Sequence, residues 1–186
     1  GRYRRRDAAA AGRRLAPPEQ LATLPGYGPD VEKNRAEARA IMEKLGYSAD
    51  KRLAIKVSAR NIAQYRDPAV ILIDQLKNVY IDGELDPVET ANWFPKIARK
   101  DYQIGLNLTG RAVDDPDQQF YENYACGSER NYTGYCNTEL QKLFDRHSAE
   151  VDQQKRKPLV WDIDKELQED VARPIIFHNR GGTCWQ

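Results

Sequence analysis

The chain lacks the short motifs that mark the commonest catalytic sites. It contains no G-x-S-x-G, no H-E-x-x-H, no Walker loop and no G-x-G-x-x-G. Two carboxylates, Asp114 and Asp115, are adjacent, so on an extended segment their side chains diverge and cannot share a proton without a bend. Turn formation before Pro116 explains them at least as well as ligand contact. The sequence predicts a protein that is not an enzyme and carries no cofactor.

Cysteine and histidine are scarce, with three cysteines and two histidines in 186 residues. Nine residues separate Cys126 from Cys136, across a segment that contains Gly, Asn and Ser. A local disulfide is easy to form at this spacing, and two reduced thiols in a turn remain the alternative. No C-x2-C pair accompanies Cys184, His147 and His178, so no metal site is predicted.

Long apolar runs are also missing, and none approaches the roughly 20 residues that span a bilayer. A composition of 40% apolar residues favours one soluble globular domain. Six arginines against one aspartate give residues 1–14 a charge of +5, which leaves −4 for the rest of a chain whose total is +1. Residues 1–20 are predicted to be a disordered basic tail without the apolar core of a signal peptide. Only one aromatic residue, Tyr3, lies among these arginines, and no groove-reading helix accompanies them, so no nucleic-acid partner is predicted.

Apolar periodicity predicts strands alternating with helices over the first hundred residues. The predicted elements are a helix from Asp30 to a stop at Gly46, a strand at 51–59, a helix from Asp67-Pro68 through Ile81 to a stop at Gly83, a strand at 84–90, a helix at 92–100 and a strand at 101–109. This βαβ alternation favours a mainly parallel sheet with flanking helices.

The remainder predicts two further helices and a last strand. Asn137 caps a helix that carries His147 on its apolar stripe, which favours a partly buried structural histidine over a catalyst. Asp152 caps a long helix whose first turns Pro158 should kink or shorten. A final strand is predicted at 175–179.

In an open α/β sheet, ligands bind beyond the carboxyl ends of the strands. The polar residues that follow two of the predicted strands are Arg60, Asn61, Asn107, Thr109, Arg111 and Asp114. The guanidinium of Arg111 could offer a planar fork to a carboxylate, or could be a surface group. Tyr132 and Tyr135 either wall the same cleft or pack beside the cysteine turn.

Four segments, in this order, resemble a known family. They are residues 101–109, the stretch DDPDQQFYENY, the stretch NYTGYCNTELQKLFD, and residues 168–176. Together they resemble the carboxyl-terminal lobe of the peptide, opine and nickel family (family 5) of ABC-importer solute-binding proteins. The resemblance spans roughly residues 30–185. It implies a periplasmic-binding-protein type II-like lobe, incomplete, at residues 21–186, and a periplasmic protein that hands a small solute to a membrane permease.

Two departures from the family pattern bear on the ligand. Oligopeptide-binding relatives carry an aromatic residue at the position of Thr109, and an acid that meets the peptide's α-amino group at the position of Ala112. Both are absent here, which favours a solute other than a free-amino peptide, and an acidic solute if Arg111 lines the cleft.

Family members have two lobes and several hundred residues, so we expect one lobe alone to bind weakly. A truncated product that binds nothing, or less favourably an uncharacterised enzyme, remains the alternative.

Overall fold

The computed structural model describes residues 24, 27, 29–110 and 115–177. Several predictions from the sequence therefore lie outside the described residues. These are the tail at residues 1–20, the candidate ligand residues Arg111 and Asp114, Cys184, and the last two residues of the strand at 175–179.

Helices and strands alternate through the first part of the described chain and helices follow. The helices are α1 (Val31–Lys44), α2 (Ala63–Leu76), α3 (Thr90–Ala98), α4 (Pro116–Tyr124), α5 (Thr138–Ala149) and α6 (Gln153–Glu169), with a short 3-10 helix at Lys77–Val79. The strands are β1 (Leu53–Arg60), β2 (Ile81–Val88) and β3 (Ile104–Leu106). None of the helices within the described residues is long and apolar enough to cross a membrane.

Three predicted helix starts are confirmed by the side chains that cap them. Asp30, Asn137 and Asp152 each accept hydrogen bonds from backbone N–H groups in the first turn of their helices. Each cap satisfies amides that have no partner inside the helix. Gly46 follows the end of α1 with a φ of +85°, a left-handed conformation that glycine adopts without strain.

The helix predicted from Asp67-Pro68 to Ile81 is wrong at both ends. α2 begins at Ala63, and Pro68 lies inside it. The helix ends at Leu76, so that Ile81 and Gly83 belong to β2. Gly83 is a packing residue and not a helix stop, because a Cβ there would lie 2.9 Å from a methylene of Ile73 on α2.

The missed helix α4 starts with the same dipeptide. Asp115 is its N-cap and accepts a hydrogen bond from the Asp117 amide at 2.9 Å, while Pro116 occupies the first turn. The predicted strand at 101–109 shortens to the three residues of β3. Residues 175–177 are not in a strand, which contradicts that part of the predicted final strand.

The sheet has the order β2-β1-β3, and both pairings are parallel, which confirms the predicted parallel α/β lobe. Val57 and Ala59 on β1 form a buried cluster with Tyr65 and Ala69 of α2. Ser58 points to the opposite face because side chains alternate along a strand. There it donates a 2.7 Å hydrogen bond to Asp86, whose carboxylate also lies 3.5 Å from Lys96 on α3. Helices therefore flank both faces of the sheet.

A second cluster joins α4, α5 and α6. Its buried members are Phe120, Leu140, Phe144, Val160, Ile163, Leu167 and Ala172. The rings of Phe120 and Phe144 stack with centroids 5.4 Å apart. His147 is buried beside them, more completely than the predicted partial burial, with an exposed fraction of 0%.

Replacement of Phe144 by alanine should lower the free energy of unfolding by about 3–5 kcal/mol, because it removes a stacked ring and leaves a cavity. Urea unfolding of the two proteins measures the difference. Val151→Ala is the control, since Val151 is 94% exposed and its truncation should change stability by about 0.5 kcal/mol or less. Equal losses in the two variants would contradict the assigned core.

Candidate functional site

The parallel register brings the carboxyl ends of the three strands to one side of the sheet. Arg60 lies opposite Val88 in β2, and Ala59 lies opposite Leu106 in β3. The residues that leave the strands at this point form what we call the carboxyl edge. Its polar members are Arg60, Asn61, Glu89, Thr90 and Asn107.

Arg60 is held in place by a hydroxyl and two rings. Its Nε donates a 2.9 Å hydrogen bond to Thr90 Oγ1, and its Cζ lies 5.8 Å from the ring centroids of both Tyr65 and Phe94. Cation–π contacts of this length orient a guanidinium without using its N–H donors. Arg60 therefore keeps donors that can meet a carboxylate in a fixed orientation.

Amide and acid groups lie beside Arg60. Asn61 is exposed and its Nδ2 donates a 2.8 Å hydrogen bond to Glu89 Oε1. Asn107 Oδ1 is buried and has no hydrogen-bond partner among the described residues. A buried acceptor without a partner is costly to leave in the fold. The accessible groups of the carboxyl edge include a cation, an anion and the amide of Asn61.

The structure places the predicted residues unevenly. Arg60, Asn61 and Asn107 meet at the carboxyl edge, whereas Thr109 is an exposed residue further along the loop after β3. Sequence reasoning missed Glu89 and Thr90, because it ended the second strand at Thr90 and not at Val88. The same rule of strand ends would have found both residues with the right boundary.

The cysteine turn is closed by a disulfide between Cys126 and Cys136. Of the two predicted roles of Tyr135, the structure shows packing. Its hydroxyl donates a hydrogen bond to Asp170 Oδ2 at 2.5 Å, and its ring contacts Tyr124 edge-on. Burial, followed by the hydrogen bond to Asp170, raises the pKa of the Tyr135 hydroxyl, so it stays protonated at neutral pH. No group of three or more metal-ligating side chains occurs within the described part of the chain.

An ionic cluster fixes the amino-terminal end of α4. Arg156 of α6 forms two hydrogen bonds to the carboxylate of Asp115, at 2.5 and 2.6 Å. These bonds lower the pKa of the Asp115 carboxyl. Asp115 is thus a helix cap and an ion-pair partner. Of the two interpretations of this residue, a structural role and ligand contact, these bonds support the structural role.

His147 lies next to this cluster, with Nδ1 3.3 Å from Asp117 Oδ1. Burial, followed by the positive charge of Arg156, lowers the pKa of the imidazole, and the carboxylates of Asp117 and Asp115 only partly oppose this. His147 is therefore neutral at neutral pH, and its Nε2 has no hydrogen-bond partner among the described residues.

No family model matches the chain, and no curated protein matches it. Solved structures do. OppA of Haemophilus influenzae in complex with the peptide RPPGFSPFR has a TM-score of 0.72 and 18% identity, over 82% of this chain and 30% of OppA. NikA of Staphylococcus aureus in complex with Ni(L-His)2 has a TM-score of 0.66 and 20% identity, over 74% of this chain and 30% of NikA.

The murein tripeptide binding protein MppA of Escherichia coli adds a TM-score of 0.72 at 15% identity, over 79% of this chain and 29% of MppA. The chain has the fold of one lobe of such solute-binding proteins. It spans about 30% of the length of these three structures. The fold expected from the resemblance is therefore confirmed.

Lowering the pH from about 7 to about 5 should destabilise the chain through His147, because the unfolded imidazole, with a pKa near 6.5, takes up a proton that the folded one resists. The lowered carboxyl pKa of Asp115 acts in the same direction, but only at a pH near or below 3.8, the ordinary pKa of an aspartate. His147→Gln should flatten the pH dependence in the first window.

Urea unfolding at several pH values measures this slope. His178→Gln is the matched control for the second histidine, and it should leave the contribution of His147 in place. An unchanged slope in His147→Gln would show that the buried imidazole titrates as it does in the unfolded chain.

Proposed function

We propose that this chain is the solute-binding carboxyl-terminal lobe of an ABC importer and works without catalysis. The observation that carries the proposal is the oriented guanidinium of Arg60 at the carboxyl edge, where three parallel strands end. Ligands of open α/β sheets bind at such edges. The fold shared with OppA, NikA and MppA supports the same function.

The chemistry of the carboxyl edge favours a small, peptide-like or otherwise charged solute. Arg60 can form two parallel hydrogen bonds to a carboxylate. Glu89 is exposed and could meet a positive group of the same solute, which would replace the acid missing at Ala112. Thr109 and also Arg111 and Asp114, which lie outside the described residues, stay predicted ligand residues, since they follow β3 in sequence.

The partners of such a lobe are a second lobe and a membrane permease. In a hinged two-lobed protein, closure around the solute buries it and creates the surface that a permease recognises. The present lobe supplies only part of these contacts, so its own affinity should be weak. The proposed location is the periplasm, where the disulfide between Cys126 and Cys136 would persist.

A thermal-shift screen of this chain against dipeptides, tripeptides, opines, Ni(II)-histidine and sugars tests the proposal. A ligand that binds the folded state stabilises it by about 2.7 kcal/mol at a hundredfold excess over Kd. Arg60→Gln should weaken binding of the active solute about tenfold to a hundredfold, because it removes a charge-assisted hydrogen bond.

Arg146→Gln is the matched control, because Arg146 is an exposed arginine of α5 outside the carboxyl edge and should leave binding unchanged. Equal binding by wild type and Arg60→Gln would remove Arg60 from the site. A cooperative melt that no solute shifts would favour the truncated, non-binding alternative over a working receptor.

A further inference from the structure

The described residues form a concave site whose lining includes none of the polar residues of the carboxyl edge. A pocket of about 580 Å³ opens between α3 and the loop closed by the disulfide. Its walls are Phe94, Ala98 and Lys100 on one side, and residues 127–132 and 134–136 on the other. Small-molecule sites commonly have volumes of about 300–1,000 Å³. We call this site the disulfide-loop pocket, and only Phe94 is shared with the surroundings of Arg60.

The loop wall is held in one shape. The disulfide joins its ends, and the amide of Asn131 inside it is buried. Asn131 Nδ2 donates to the carbonyls of Ala125 and Tyr135, at 3.0 and 2.6 Å, while its Oδ1 accepts from the Gly134 amide at 3.1 Å. Because this loop is already ordered, it loses little conformational entropy when a ligand binds.

The charged side chains of the lining are two cations, Arg130 and Lys100, and one acid, Glu129. Arg130 pairs with Glu122 at 3.1 Å and, with five N–H donors, keeps others available. The ammonium of Lys100 has no carboxylate partner within the described residues. The Lys100 ammonium is therefore available to pair with an anion.

Lys100 is placed in the pocket by backbone geometry. It has a φ of +59°, unusual for a residue with a side chain. Its Cε would lie 3.0 Å from a Cβ at position 134, so Gly134 leaves the room that the lysine stem occupies. Both residues line the pocket, and their fit shows that the lysine side chain is seated against the loop wall.

Flat apolar surface completes the lining. The ring of Phe94 is 47% exposed, although one side meets the Arg60 guanidinium. Tyr132 is half-buried, and its backbone is fixed because its carbonyl accepts a 2.7 Å hydrogen bond from the Tyr102 hydroxyl. Rings held in position favour an aromatic partner over a flexible chain.

We propose that the disulfide-loop pocket binds a small aromatic carboxylate. The carboxylate pairs with the Lys100 ammonium, and the ligand ring packs against Phe94 and Tyr132. The site is separate from the carboxyl edge, so it gives this lobe a second recognition surface whether or not the edge binds a transported solute.

Titration of the 15N-labelled chain with 4-hydroxybenzoate, followed by NMR, tests the proposal. We expect shifts in the amides of Lys100 and residues 127–136, saturating at millimolar probe. Lys100→Gln should weaken binding about tenfold, because it removes a charge-assisted contact. The uncharged analogue 4-hydroxybenzamide should bind the unaltered chain as weakly as 4-hydroxybenzoate binds Lys100→Gln. This comparison tests the role of the charge without any mutation.

Lys157→Gln is the matched control, since it removes an exposed lysine of α6 outside the pocket and should change nothing. Shifts that are confined to the amides of the carboxyl edge and that Lys100→Gln leaves unchanged would place the probe at that edge, which overturns this proposal and supports the proposed function. Absence of saturable shifts, or equal binding by acid and amide, would also overturn it.

Discussion

Parallel pairing of β1 on both of its sides is the constraint on which the rest of the structure depends. Val57, Ser58 and Ala59 pair with both neighbouring strands and are at most 1% exposed. Because all three strands point the same way, their carboxyl ends have to emerge together. A slip of one residue would turn Ser58 toward the apolar face of α2 and Val57 toward Asp86. Burial on two unlike faces therefore specifies the register, and the register specifies which polar groups surround Arg60.

The ion pair between Asp115 and Arg156 has a different kind of role. Both side chains are partly exposed, so the pair contributes little to the free energy of unfolding. Its geometry is nevertheless specific, since two hydrogen bonds fix the carboxylate that also caps α4. The start of α4 is thus attached to α6 within the helical cluster around Phe144.

The sequence was a good guide wherever one local interaction decides the structure. Asp30, Asn137 and Asp152 were predictable caps, because each side chain bonds amides two or three residues away. The dipeptide Asp-Pro was ambiguous, since it begins α4 at Pro116 but lies inside α2 at Pro68. The start of α2 has no side-chain cap. In α2, the turn before Pro68 carries Tyr65, which is buried in the cluster with Val57 and Ala59 of β1. Arg60, Asn61 and Asn107 could be assigned to one edge from the strand rule alone, but the rings that orient Arg60 depend on helix placement.

Helix α3 links the two regions that carry charge, and its anchoring explains how. Trp93 and Ile97, one helical turn apart, are at most 1% exposed, so the rotation of the helix about its axis is fixed. That rotation directs Thr90 and Phe94 to Arg60. The positive φ of Lys100, just beyond the helix end, then turns the chain so that the lysine lines the disulfide-loop pocket. The positions of the groups around Arg60 and of Lys100 therefore depend on two buried apolar side chains, neither of which lines the disulfide-loop pocket.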